Sequence, residues 1–144
     1  MPEPTHPSDC RFEELSHTAE VGLRVWAHTP AALFACAGQS MFALIGAESE
    51  PASNVTQRMV KIEAPDIESL LVDWLSELVY LYETTGEVYL ECQVDEWTST
   101  SLTATVHGCL PNQAPALHVK AVTYYDLQVR QTGDEWMAQV YFDI

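Results

Sequence analysis

Three carboxylates bear most directly on chemistry in this 144-residue chain. Glu20 opens the strand pattern EVGLRVWA within the stretch SHTAEVG, and His17 lies just before it. Asp143 is the penultimate residue, and the α-carboxylate of Ile144 follows it. Two carboxylates on neighbouring residues of a fixed strand end repel each other unless a cation lies between them. A third from Glu20 would complete an all-oxygen, multiply charged cage of the kind that Ca²⁺ accepts and Mg²⁺ tolerates with waters. Each group also has an ordinary reading. Isolated carboxylates are usually hydrated surface groups, and His17 can cap a turn in which Thr18 bonds locally and Gly22 relieves crowding. Lys120 interrupts the apolar and aromatic stretch LHVKAVTYYDLQV. A strand lysine is commonly an edge charge or a snorkelling stem. Facing the carboxylates instead, it would offset their charge or contact a partner's phosphate or acidic group. His118 reads as a surface residue.

No nucleophile elbow, phosphate-cradling glycine loop, H-E-x-x-H pair or EF-hand loop occurs in the chain. The net charge is -15, from 6 Lys and Arg against 21 Asp and Glu. Such a surface would repel a phosphate backbone, so direct tight nucleic-acid binding is not expected. Solubility, cation binding and docking onto a basic partner all remain as uses of the acidity. No run of about 18 apolar residues is present, so no membrane span is expected. The start, MPEPTHPSDC, lacks the basic and apolar regions of a signal peptide. Residues 1–11 are expected as a flexible lead and 12–144 as one domain, large enough to bury a core without staples. Of the four cysteines, Cys36 lies in an apolar helix pattern and Cys92 on the apolar side of a strand, and none forms a C-x-x-C pair. The spacing predicts reduced thiols in a cytoplasmic protein rather than a disulfide or a Cys-zinc site.

The elements that must position these groups alternate in type. RFEELSH and EVGLRVWA read as strands, the second with Val21, Leu23, Val25 and Ala27 on one face. A helix follows, capped by Thr29, with Pro30 in its first turn and Gly46 at its exit. Leu33, Phe34, Ala37, Met41, Leu44 and Ile45 form its apolar stripe. EPASNVTQ is loop, and RMVKIEA alternates as a strand. Asp66 caps a second helix that Gly86 ends, with Ile67, Leu70, Leu71, Trp74, Leu75, Leu78, Leu81 and Tyr82 on its apolar face. The rest reads as strand: VYLECQV with Val88, Leu90, Cys92 and Val94 on one side, SLTATVHG, then LHVKAVTYYDLQV, a TGDE turn and the closing WMAQVYFDI. In that last strand Asp143 points away from the core and Ile144 packs into it. The expected class is α+β, with two helices packed on one face of a mostly antiparallel sheet.

SHTAEVGLRVWAHTPAALFACAGQSMFALI, DIESLLVDWLSELVYLYE, VKAVTYYDLQV and WMAQVYFDI together resemble the archease family, in order, from about Phe12 to Ile144. The resemblance implies an Hsp33-like α+β fold and a small cytoplasmic, non-catalytic protein. Its implied partner is the RtcB-type RNA ligase of tRNA splicing and RNA repair. Archeases promote guanylylation of that ligase's active-site histidine and permit multiple turnover. The family's metal site, carried over by position, falls on Glu20, Asp143 and Ile144, with a divalent cation expected: Ca²⁺ first, Mg²⁺ or Mn²⁺ otherwise. Lys120 falls on a lysine implicated in activation, and His17 belongs to the same motif. Two positions depart from the family pattern. Glu20 stands where Asp is usual, one methylene longer, and Tyr125 replaces a histidine, removing a group that titrates near neutrality. From the residues alone, two other functions stay open: a metal-dependent phosphoester hydrolase using the same carboxylates, and a general chaperone or assembly factor.

Overall fold

The computed structural model describes residues 10–17, 20–46 and 55–144. The expected turn bond of Thr18, the side chain of His17, most of the expected lead and the 50–54 part of the expected loop lie outside the described residues. Ten elements follow in order: β1 (Arg11–His17), β2 (Glu20–Ala27), α1 (Pro30–Ile45), β3 (Thr56–Glu63), α2 (Ile67–Thr85), β4 (Val88–Thr98), β5 (Ser101–Cys109), β6 (Ala121–Val122), β7 (Gln128–Thr132) and β8 (Glu135–Asp143). β1 therefore begins at the last residue of the expected lead.

Both helices start and stop where local chemistry predicts. The Thr29 side chain accepts from the Ala32 amide at 3.1 Å, and Gly46 takes φ 77° to close α1. The Asp66 side chain accepts from the Ser69 amide at 2.8 Å, a bond that holds its carboxyl below the usual range. Gly86, at φ 79°, ends α2. Both glycines occupy the left-handed conformation that a Cβ disfavours.

The strands divide into two antiparallel sheets. One runs β1-β2-β8-β6, with β7 also on β8; the other runs β3-β5-β4. α1 lies against β2 of the first sheet and β4 of the second. This position between sheets explains why it is buried almost all round, including Cys36, Gly38, Ser40 and Phe42 beyond the expected stripe. α2 packs on α1, and the Trp74 indole N–H donates to the Phe34 carbonyl at 2.8 Å. Leu23, Val25 and Ala27 from β2, Leu102, Ala104 and Val106 from β5, and Ala138, Val140 and Phe142 from β8 complete the core.

Four expectations are corrected. β4 skips a residue between Tyr89 and Glu91 and again between Val94 and Glu96. The first bulge reverses the parity, so Leu90 is 39% exposed while Tyr89 takes its place inside. The stretch LHVKAVTYYDLQV is not one strand. Only Ala121–Val122 and the residues from Gln128 on pair, with an irregular passage between them in which Asp126 adopts φ 49°. Ile144 does not pack into the core. It lies one residue past the last cross-strand pair and is 38% exposed, while Phe142 is the buried residue of that end. Finally, Cys10 and Cys36 form a disulfide, with Cα atoms 5.3 Å apart, where reduced thiols were expected. The β1-β2 hairpin carries the chain back so that Cys10, at the entry to β1, meets α1. Neither Cys92 nor Cys109 is part of a disulfide, and burial pushes the Cys92 thiol up to about 12.

Candidate metal site on the outer face of the larger sheet

Glu20 and Asp143, far apart in sequence, become neighbours because β8 pairs with β2. Their register sets Glu20 directly opposite Asp143. On one side His17 of β1 is the register partner of Glu20, and on the other Ala121 of β6 is the partner of Asp143. His17, Glu20, Asp143 and Ala121 thus form one row across four strands. Opposed residues of an antiparallel pair project to the same face, with Cβ atoms about 4.5–5.5 Å apart. Phe142, of the other parity, is fully buried, so this row lies on the face away from the helices.

Two carboxylates directly opposed across a ladder destabilise it when nothing compensates their charge. Among the described residues, no lysine or arginine forms an ion pair with Glu20 or Asp143. Glu20 is half-exposed, and Asp143 and Ile144 are exposed. Lys120 was expected within a strand; it immediately precedes β6, its side chain is exposed, and its backbone amide donates to the Asp143 carbonyl at 2.8 Å. That bond fixes the main chain beside Asp143. His118 is exposed, as expected, with Nε2 3.7 Å from Oε2 of Glu83.

The donor chemistry suits a hard cation: oxygen only, anionic and open to water. No group of three His, Cys, Asp or Glu side chains able to hold a metal occurs among the described residues. A cation bound on this face would have two side-chain ligands at most from this pair, Glu20 and Asp143.

Neighbouring residues build the floor of this face, and periodicity alone did not single them out. Gly22 pairs with Tyr141, one step along from the carboxylates on the same face. A Cβ at Gly22 would come within 2.6 Å of Tyr141 Cε2, so the absent side chain is what lets the ring lie there. Tyr125 meets Tyr141 edge-on, with ring centroids 5.4 Å apart and planes at 72°. Beyond them Arg24 donates from Nε and Nη2 to Gln139 Oε1, at 3.0 and 2.6 Å. Gln139 Nε2 in turn donates to the Asp126 carbonyl and to its Oδ2, both at 3.0 Å. Gln139 is only 2% exposed, so this chain of bonds pins the passage between β6 and β7 onto the sheet. The available signal was Gln139 on the outward parity of β8, shared with Asp143.

Residues 12–144 match the model of the Archease protein family (MTH1598/TM1083). The chain belongs to the archease family. It is 38% identical over 144 residues to the archease of Methanosarcina barkeri, covering 93% of this chain and 96% of that protein. It is 30% identical over 141 residues to the archease of Pyrococcus abyssi, with 93% and 99% covered. Among solved structures it resembles protein 1598 of Methanobacterium thermoautotrophicum, at TM-score 0.69 and 25% identity, over 92% of this chain and 98% of that one. A Thermotoga maritima archease described as a possible chaperone shares the fold at TM-score 0.63 and 16% identity, over 92% and 96%. The α+β archease class expected from the sequence is the one observed, with the strands in two antiparallel sheets rather than the one sheet expected.

Proposed function

We propose that this archease is a non-catalytic activator of an RtcB-type RNA ligase, promoting the ligase's guanylylation and multiple turnover. Glu20, Asp143 and the carboxylate of Ile144 hold a divalent cation, Ca²⁺ in the first instance, and Lys120 and His17 flank it. The observation that carries this reading is the register pairing of Glu20 with Asp143, which sets two carboxylates side by side, with no Lys or Arg ion pair among the described residues, in a member of this family. A bound cation would bring positive charge to the phosphates that such a ligase handles. The net charge of -15 supports docking against the basic surface that an RNA ligase must present. A general holdase would expose a contiguous apolar patch. Here both helices bury their apolar faces, and among the exposed large apolar residues Met59, Tyr80 and Leu110 come from separate elements.

The test is a ligation time course with limiting ligase. The wild-type protein is expected to carry the reaction past one turnover. Glu20→Ala, Asp143→Ala and deletion of Ile144 are each expected to lose that stimulation and to lose Ca²⁺ binding by calorimetry, while keeping the wild-type circular dichroism. Normal stimulation by all three variants would sink the site assignment; no stimulation by the wild type would sink the function.

A further inference from the structure

We infer that the Cys10–Cys36 disulfide is a reversible clamp holding the edge strand β1 to the core, opened by dithiol reductants. Among the described residues β1 is paired on one side only, to β2. Of its described side chains none belongs to the hydrophobic core. Phe12, Glu14 and Ser16 share the parity of the buried residues of β2, yet Phe12 is 44% exposed and the other two are exposed as well. Side-chain attachments along the rest of the strand are surface ones. Arg11 reaches Glu135 at 3.0 Å and lies 4.5 Å from the Trp26 ring centroid, and Glu13 meets Arg24 at 3.6 Å. Exposed pairs of this kind contribute little. Among the described residues, the disulfide from Cys10 is thus the covalent link from the entry of β1 into the interior, ending on Cys36, which is 1% exposed in α1.

The same geometry makes the bond reducible from one side. Cys10 is half-exposed and Cys36 is not, so an incoming thiolate attacks the Cys10 sulfur and Cys36 leaves. The buried hydroxyl of Ser40 lies 3.7 Å from the Cys36 sulfur and can stabilise the leaving thiolate until it takes a proton. The second thiol of the reductant then displaces Cys10 and closes the reductant's own disulfide. Two electrons and two protons pass from the dithiol to the cysteine pair. Cys36 then remains as a buried thiol of the core, while β1 keeps its ladder to β2 and its exposed side-chain pairs.

The clamp does not depend on the cation reading, and its test is read without ligase or metal. The full-length protein is compared with and without dithiothreitol by hydrogen–deuterium exchange, with thiols counted after unfolding. Two reactive thiols are expected in the oxidised protein and four in the reduced one. On reduction, exchange of the β1 amides is expected to rise about tenfold or more, while that of α1 and β8 stays unchanged. Cys10→Ser should show the faster β1 exchange with or without reductant. Four thiols before reduction, unchanged β1 exchange after it, or acceleration spread over the whole chain would each overturn the inference.

Discussion

Glu87 illustrates how a single residue can anchor a junction between elements. It follows the glycine that ends α2 and opens the path into β4. Its carboxylate accepts from Thr56 Oγ1 at 2.7 Å, Arg58 Nε at 2.9 Å and the Tyr89 hydroxyl at 2.8 Å. The Arg58 bond is the main reason its pKa falls from 4.5 to about 2, against the opposing effect of burial. A carboxyl with a depressed folded-state pKa adds stability that is complete above its unfolded value and lost as pH falls toward the folded one. Glu87→Gln is therefore expected to be less stable than wild type at pH 7, and the gap should close between about pH 4.5 and pH 2. Arg58 keeps contact with water, which screens the pair, so the gap should be about 1–2 kcal/mol rather than the full value of the shift. Urea unfolding of both proteins across that pH range checks the sign and the window. The carboxylates of the candidate site contrast with this one. Glu87 has its compensating cation within the chain, whereas Glu20 and Asp143 have none among the described residues.

At the scale of elements, legibility follows how local the determining interaction is. Thr29, Pro30, Gly46, Asp66 and Gly86 act within one helical turn, so both helices could be bounded from the sequence. Strand identity was legible where a strict alternation survives, as in β2 and β5. It failed in β4, because a bulge shifts parity without changing composition. It failed again between β6 and β7, where apolar and aromatic residues serve a passage held by Gln139 rather than a ladder. The disulfide was illegible because Cys10 lies outside any periodic pattern and meets Cys36 only through the hairpin. The pairing of Glu20 with Asp143 depends on β8 lying next to β2, a contact between residues far apart in sequence. Residue chemistry raised their convergence as one reading beside plain hydration, and the resemblance made it the expectation. The bulge itself can be tested. Leu90→Thr should change stability by no more than about 0.5 kcal/mol, because the side chain faces outward. Val88→Ala, at a fully buried position of the same strand, should lose about 2–3 kcal/mol. Equal losses at the two positions in chemical denaturation would show that the alternation first read from VYLECQV is right.

For the molecule as a whole, the excess of 21 acidic over 6 basic residues acts through space rather than through contacts. Most of these acids lie on the surface and repel one another across it, which disfavours the compact state. Salt screens such repulsion over a length that shrinks from about 10 Å at 0.1 M to about 3 Å at 1 M. It also weakens ion pairs such as Arg11 with Glu135, but six basic residues can form too few of these to reverse the balance. Thermal unfolding is therefore expected to move upward by several degrees as sodium chloride rises from low concentration to about 1 M. Docking onto a basic ligase surface draws on the same field with the opposite sign. Its association rate should fall steeply over the same salt range, because complementary charge acts mainly on encounter. Scanning calorimetry of the free protein and stopped-flow mixing with the ligase measure the two trends separately. If stability and association both rise with salt, the acidity serves solubility alone and the partner does not meet it with positive charge.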